Sequence, residues 1–398
     1  MPRLRTRFAL PTAVVATMLL GSACGSSGTP ASSGSGTPAD ILIGVPVPVS
    51  GDYASAGKDI YQGAQLAAAD INGKGGINGA KIQLVEADDA CSAQVGAQAA
   101  QKLISQGVVA VAGGYCSSAA LPELGAFHRV NIPYVMDSST NPQLTEQGFP
   151  EAFRTIGRDD QQGPFAAKYI SGFLQAKTAA VINDNTTYAK GLADATVAAL
   201  KSDNVNVVFN DAITPGQSDY TPVLTRVKTA NPDVIYYTGY FSEAALLVKQ
   251  AREKLGMTNT FMGGDATNDP TLLATAGAAA EGMQITTAPL AQFLGSAGQQ
   301  YVTNYQKKFG AAPGAYSVYE YDAVEVLAKA MQAAGSTKSS DVVKALPGVK
   351  YTGITGDISF NSKGDRASAV YITIIVKNGQ FAAYKKQDSS GQWVGAAG

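Results

Sequence analysis

From Asp40 onward, short apolar runs alternate with stretches of helical period, and this alternation restricts the fold more than any other feature. "DILIGVPVPVSG" reads as a strand ending in a glycine turn, after which Ile60, Ala64, Ala67 and Ile71 recur at helical spacing. The Gly-rich turn "NGKGGINGA" leads into a strand, "KIQLVEAD", a helix, "SAQVGAQAAQKLISQ", and a strand, "VVAVAGG". Further strands are predicted at "IPYVMD", "KTAAVIND", "NVNVVFND", "PDVIYYTGY" and "NTFMGG". Helices are predicted at "DQQGPFAAKYISGFL", "YAKGLADATVAALKS", "DYTPVLTRVKTA" and "SEAALLVKQAREKLG". Strands alternating with helices of this length imply an α/β fold whose parallel sheets are covered on both faces. Such sheets bind ligands beyond the C-terminal ends of their strands. The residues that follow the apolar runs are therefore the candidates: Ser50, Ser117, Ser138 to Thr140, Asp184, Tyr240 and Asp265.

The first residues bear on the compartment. Arg3, Arg5 and Arg7 precede an apolar stretch from Phe8 to Leu20, followed by small residues and Cys24. That is the pattern of an export signal, too short for a membrane span. Cys24, behind Ser22 and Ala23, looks like the lipidation site of a bacterial lipoprotein, with residues 1–24 as its signal peptide. Residues 25–39, "GSSGTPASSGSGTPA", read as a flexible tether. The folded part is thus expected at the extracytoplasmic face of the membrane, lipid-anchored.

The chain of 398 residues is long enough for two domains of ordinary size. Its 30 basic and 31 acidic residues nearly cancel, with no basic block beyond the signal, which argues against nucleic acid as a partner. Cys116 sits at the tip of an apolar strand in "GGYCSSAALP", where a reactive thiol, half of a disulfide or part of a ligand cradle would each fit. With Cys24 used by the anchor, Cys91 and Cys116 remain, and an exported chain with two cysteines favours a disulfide over a nucleophile. His128, the one histidine, lies at a helix end with no serine or cysteine partner at motif spacing, so catalysis is not expected. No cysteine–histidine cluster suggests a metal, and "GGINGA" lacks the strand-first arrangement of a dinucleotide loop, so no cofactor is expected.

The stretches "GAQLAAADINGKGGINGAKIQLVEADDAC", "AGGYCSS", "FRTIGRDDQQGPFAAKYI", "VIYYTGY" and "TGDISFNSKGD" resemble the branched-chain amino-acid-binding proteins, solute receptors of ABC importers. The likeness runs from Asp40 to about Lys377. It implies a two-lobed type I periplasmic binding protein fold, each lobe a parallel-sheet, Rossmann-like three-layer sandwich, with a solute in the cleft. The crossovers are expected near Gly157, near Ala288 and just after "SFNSKGD". Lobe 1 then comprises 40–157 and 288–365, and lobe 2 comprises 158–287 and 366–398. The resemblance also implies a disulfide between Cys91 and Cys116 that leaves Ser117 and Ser118 facing the cleft.

By the same resemblance, Ser117 and Thr140 hold the carboxylate of an amino acid, and the backbone of Ser138 and Ser139 faces its ammonium. Tyr188 and Tyr240 close over it from the other lobe, and Asp265 pairs with the ammonium where the family has a glutamate. Ala56 replaces an aromatic wall of the side-chain pocket, with Tyr53 and Tyr316 near enough to fill the space. Leu, Ile and Val lead as solutes. The alternatives are an aromatic amino acid, an amide, urea or an aromatic acid, or a role as the ligand-binding subunit of a sensor. The expected partners are a small amino acid and the permease subunits of an importer, met by a monomeric folded part.

Overall fold

Two sheets organise the computed structural model, which describes residues 39–396. The expected anchor at Cys24, and all but the last residue of the expected tether, lie outside that range. The first sheet is built from β1 (Ile41–Val47), β2 (Ile82–Asp88), β3 (Ala110–Gly113), β4 (Tyr134–Met136) and β5 (Ala152–Arg154). Helices α1 (Ala54–Gly73), α2 (Ala93–Ser105), α3 (Ser117–His128) and the short α4 (Gln143–Glu146) connect these strands. Their order is β2-β1-β3-β4-β5, parallel throughout. As the periodicity required, Ile60, Ala64, Ala67 and Ile71 form the buried stripe of α1.

After β5 the chain passes through α5 (Asp159–Lys168) into the second sheet. There β6 (Thr178–Asn183), α6 (Thr187–Ser202), β7 (Asn206–Ala212), α7 (Thr221–Ala230) and β8 (Val234–Tyr237) follow in turn. They are succeeded by α8 (Phe241–Glu253), β9 (Thr260–Gly263), α9 (Pro270–Ala276) and β10 (Gln284–Thr287). The parallel part runs β7-β6-β8-β9-β10, the same order as the first sheet shifted by five strands. The expected single helix through "YISGF" gives way at Tyr169–Phe173 to a wider π turn, where Tyr169 and Phe173 stack with ring centroids 5.0 Å apart.

The chain then returns to the first sheet. Helices α10 (Gly295–Phe309) and α11 (Ser317–Ala334) pack on α1, and α12 (Ser339–Ala345) packs on α11. Gly63 of α1 allows the closest approach, since a Cβ there would stand 2.1 Å from the Ser317 carbonyl oxygen. The hairpin β11 (Tyr351–Gly353) and β12 (Gly356–Ile358) follows, and the chain crosses once more. Strands β13 (Ile372–Lys377), β14 (Gln380–Gln387) and β15 (Trp393–Gly395) extend the second sheet antiparallel beside β10. The second sheet is therefore mixed where a purely parallel one was expected. Its antiparallel edge is fastened by Trp393, whose ring meets those of Phe165 and Tyr169.

Cys91 and Cys116 are joined in a disulfide with their Cα atoms 5.1 Å apart, tying the loop after β2 to the residue that opens α3. Closing a loop of 25 residues restricts the unfolded chain by about 3.5 kcal/mol in the chain-entropy account. The double variant Cys91→Ser/Cys116→Ser should lose about that much stability in urea unfolding, and thiol titration of the unreduced, unfolded parent should find neither cysteine free. Equal stability of the two proteins, or two titratable thiols, would refute the bridge.

Candidate functional site

The C-terminal ends of the two parallel sheets face each other, and the strand order reverses around β1 and β3 in one and around β6 and β8 in the other. Such switch points leave a crevice for ligands, and here two crevices oppose. Direct contacts cross between them. Tyr53 OH donates to Glu243 Oε2 (3.3 Å), Ser55 Oγ to Asp269 Oδ2 (3.0 Å) and Tyr316 OH to Asp265 Oδ2 (3.0 Å). The Asn141 amide donates to the Thr187 carbonyl (2.7 Å), and the Thr187 N–H to Ser118 Oγ (3.3 Å).

From the first sheet, Gly113 and Gly114 turn the chain with φ of 129° and 96°. A Cβ on Gly114 would lie 2.2 Å from the Tyr134 hydroxyl, so no other residue fits. The turn brings Ser117 and Ser118 to the start of α3, where the first backbone N–H groups have no partner within the helix and carry partial positive charge. Ser117 Oγ accepts from the Asn141 N–H at 3.3 Å. Ser138 and Ser139 turn their hydroxyls back into their own lobe, Ser139 Oγ donating to the Gly114 carbonyl at 2.6 Å and Ser138 Oγ to Asp137 at 3.1 Å. Thr140 differs: its hydroxyl is buried with no hydrogen-bond partner.

From the second sheet, Tyr188 in the first turn of α6 donates to Asp265 Oδ1 at 2.7 Å. Asp265 thus accepts from a tyrosine of each side. Burial raises its pKa above the usual carboxylate range, and those two hydroxyls partly offset the rise. The Tyr240 hydroxyl is buried without a partner. Tyr53, Tyr115, Tyr188 and Tyr316 surround the site together with Tyr240. Ring centroids are 4.7 Å apart for Tyr53–Tyr240, 5.6 Å for Tyr115–Tyr240, 5.5 Å for Tyr115–Tyr316 and 5.2 Å for Tyr188–Tyr240. Ala56 is buried in α1, while Tyr53 also packs edge-on against Phe241 at 5.7 Å.

Asp159 was missed by the sequence reasoning. It is fully buried at the start of α5, with neither carboxylate oxygen hydrogen-bonded. Burial pushes its pKa well up, opposed by the nearby Thr140 hydroxyl and reinforced by the charge of Asp265. An acidic residue in the first turn of a helix is ordinary, so "GRDDQQG" carried no signal beyond a helix start. Tyr115 and Glu243 were missed too. Glu243 receives Ser242 Oγ (2.6 Å) and the Gly216 N–H (3.2 Å) as well as Tyr53.

Two strand-end candidates serve the turns that carry them. Ser50 Oγ donates to Asp88 (2.6 Å), and Asp184 accepts from the Thr186 N–H (3.0 Å). His128 stacks on Phe149 with centroids 3.9 Å apart and contacts Glu151 through Nδ1 at 2.6 Å. Among the described residues no group of three or more potential metal ligands occurs, and no helix is long and apolar enough to cross a membrane.

The periplasmic binding protein family profile matches residues 40–380. This chain belongs to that family. An amino acid binding protein of Pseudomonas aeruginosa is 37% identical over 340 residues, covering 84% of this chain and 89% of that protein. The leucine-specific-binding protein of Salmonella typhimurium is 35% identical over 326 residues, covering 82% and 88%. Among solved structures, a leucine-binding protein of Thermotoga maritima superposes with a TM-score of 0.81 at 29% identity, covering 86% of this chain and 97% of that one. A branched-chain amino acid transporter substrate-binding protein of Streptococcus pneumoniae, in complex with isoleucine, gives 0.80 at 27% identity and covers 89% and 99%. The resemblance to branched-chain amino-acid-binding proteins read from the motifs therefore extends over the folded part of this family member, and so does the two-lobed fold.

The two acids facing the crevice carry a stability cost. A carboxyl whose folded pKa is raised destabilises the fold above the ordinary carboxylate pKa, because the ionised form is favoured in the unfolded chain. Asp159→Asn should therefore stabilise the ligand-free protein by about 1–2 kcal/mol in urea unfolding at pH 7. The gain should vanish below the usual carboxylate range, where Asp159 is neutral in both states. A loss of stability at pH 7 would mean that Asp159 is compensated in the ligand-free fold.

Proposed function

We propose that this protein is the solute-binding component of an ABC importer for branched-chain amino acids, Leu, Ile and Val, and that its solute lies between the two sheets. The observation that carries this reading is the division of the crevice by charge. On one side stand the opening N–H groups of α3 with Ser117, which suit a carboxylate, joined by the Thr140 hydroxyl, whose near neighbour is the Asp159 carboxylate. On the other stand Asp159 and Asp265, two buried acids that suit an ammonium. A zwitterion stripped of water needs both halves, or its desolvation outweighs the gain. The Tyr53, Tyr115, Tyr240 and Tyr316 rings supply an apolar wall for the side chain. The relatives named for leucine or for branched-chain amino acids support the same solute class.

Ser117 and Thr140 take the carboxylate in this reading. Ser118, Ser138 and Ser139 shape the loops around it, and Tyr188 and Tyr240 cover it. Asp265 and Asp159 share the ammonium, and Tyr53, Ala56 and Tyr316 bound the side-chain pocket. A solute with a carboxylate and no ammonium, such as benzoate, would leave Asp159 unpaired and Asp265 without a cation. The lobes divide as 40–157 with 288–365 and 158–287 with 366–398, a division supported by the separate sheets and the return of α10 to α12 to the first. The closed pair of lobes, as a monomer, presents the solute to the permease subunits. The N-terminal arginines, the apolar stretch and Cys24 support export and lipid anchoring outside the cytoplasmic membrane.

Isothermal calorimetry on the mature protein tests the solute. Leu, Ile and Val should bind within about a hundredfold of one another, since an apolar pocket separates homologues weakly, with Phe below them. Benzoate, urea and simple amides should give no heat. Asp265→Asn should cost about 2–4 kcal/mol, and Ser117→Ala less, because the α3 N–H groups remain as donors. Binding of benzoate or an amide with no response to any amino acid would overturn the proposal. For the anchor, Cys24→Ala should move the protein from the membrane fraction of a lipidating host, or leave its signal uncleaved. Identical partitioning of the two forms would remove the anchor.

A further inference from the structure

Arg154, at the end of β5, is the largest side chain in the described protein with no solvent exposure. Its guanidinium is shared among three parts of the fold. Nη1 donates to the Ser139 carbonyl at 3.0 Å, and Nη2 to the Asn141 carbonyl at 3.2 Å and to Thr145 Oγ1 at 2.9 Å. Nε lies 2.8 Å from Asp365 Oδ1, an ion pair whose N–H is not aligned on the oxygen. Asp365 also accepts from Thr145 Oγ1 at 2.8 Å and from Arg158 at 2.8 Å. The carbonyl between the two that Arg154 holds, that of Thr140, accepts the Asp159 N–H at 3.1 Å. Three consecutive carbonyls are thus fixed, and the residue at their centre is the one whose buried hydroxyl lies near the Asp159 carboxylate without a well-formed hydrogen bond.

The same arginine joins two of the segments that cross between the sheets. Its N–H donates to the Gly364 carbonyl at 3.0 Å, and Arg366 donates to the Thr155 carbonyl at 2.8 Å. A Cβ on Gly364 would stand 1.9 Å from the Ala152 carbonyl oxygen, so this turn lies directly on β5. A buried guanidinium is a poor way to gain stability, because removing it from water costs several kcal/mol and apolar packing of equal volume serves as well. What it supplies is a planar fork reaching several acceptors at fixed angles, which a lysine cannot copy.

We propose that Arg154 is a positioning residue for solute binding: it clamps the backbone on both sides of Thr140 and so aims the Thr140 hydroxyl into the crevice from a base formed by the crossing segments. Asp365 neutralises the clamp and Thr145 bridges the two. The proposal rests on the reading of Thr140 as a solute contact.

The test is a double-mutant cycle read by calorimetry with L-leucine, using the parent, Arg154→Lys, Thr140→Val and the double variant, each checked for folding by urea unfolding. Each single change should weaken binding at least tenfold. The double variant should bind within about threefold of the weaker single, because an arginine that acts through Thr140 has nothing left to aim. A stability defect alone would not produce this non-additivity. Should Arg154→Lys fail to fold, Thr145→Val replaces it in the same cycle, with a smaller loss and the same non-additivity. Multiplying losses, or unchanged affinity in Arg154→Lys, would overturn the positioning role and leave the solute reading intact. Unchanged affinity in Thr140→Val, or a parent that does not bind L-leucine, would overturn the solute reading and the positioning role with it.

Discussion

Two carboxylates buried in one crevice, Asp159 and Asp265, set the terms for the rest of this molecule. Asp265 is held by the tyrosine hydroxyls of Tyr188 and Tyr316, one from each side, whereas Asp159 has no hydrogen bond to either oxygen. Burying an unpaired acid costs several kcal/mol, and a single protein–protein hydrogen bond returns about 1 kcal/mol net. The contacts from Tyr53, Ser55, Ser118 and Asn141 across the crevice therefore offset the penalty only in part. The ammonium of the proposed solute would change that balance by pairing both acids in a medium where Coulomb attraction is strong.

The topology explains why the acids meet. Both parallel sheets follow one strand order, so each has its reversal of connection at the same place, and both reversals open toward the crevice. Neither half could enclose a small solute alone, since each offers an edge and not a pocket. Opposed, they supply unlike chemistry. The first offers the start of α3 and the Ser138–Asn141 loop; the second offers Asp159, Tyr188, Tyr240 and Asp265. The disulfide and the Gly113–Gly114 turn fix the start of α3, while Arg154 fixes the loop beside it.

Much of this could be read in the sequence, and the limits have physical reasons. Long apolar runs such as "VIYY" form strands buried on both faces, and their C-terminal positions locate Ser117, Tyr240 and Asp265 without any geometry. Asp159 escaped because a first-turn acid is explained by the helix dipole before any ligand is considered. Arg154 escaped for a related reason. It lies inside "FRT", and only the fold reveals that its partners are carbonyls 13 and 15 residues away and an acid more than two hundred residues on. The antiparallel β13–β15 extension went unread although "YITIIVK" is an apolar run of strand type; along "QFAAYKKQ" half-buried positions follow one another, so no alternation marks a buried face.

Charge division also bears on what such a crevice rejects. Apolar walls distinguish one hydrocarbon side chain from another by about 0.8 kcal/mol for each methylene, so the tyrosines of the crevice can rank solutes but cannot exclude many. Unpaired buried charge discriminates far more sharply. An aromatic acid could stack among the same rings and meet the α3 N–H groups, yet closure over it would strand Asp159 and Asp265 beside a third negative charge or force them to take up protons. An amine without a carboxylate would satisfy the acids and leave Thr140 and the start of α3 with no anion. On the proposed site, closure is favourable only for a solute that answers both halves at their separation, a requirement that would select the α-amino acid backbone before the side chain is considered.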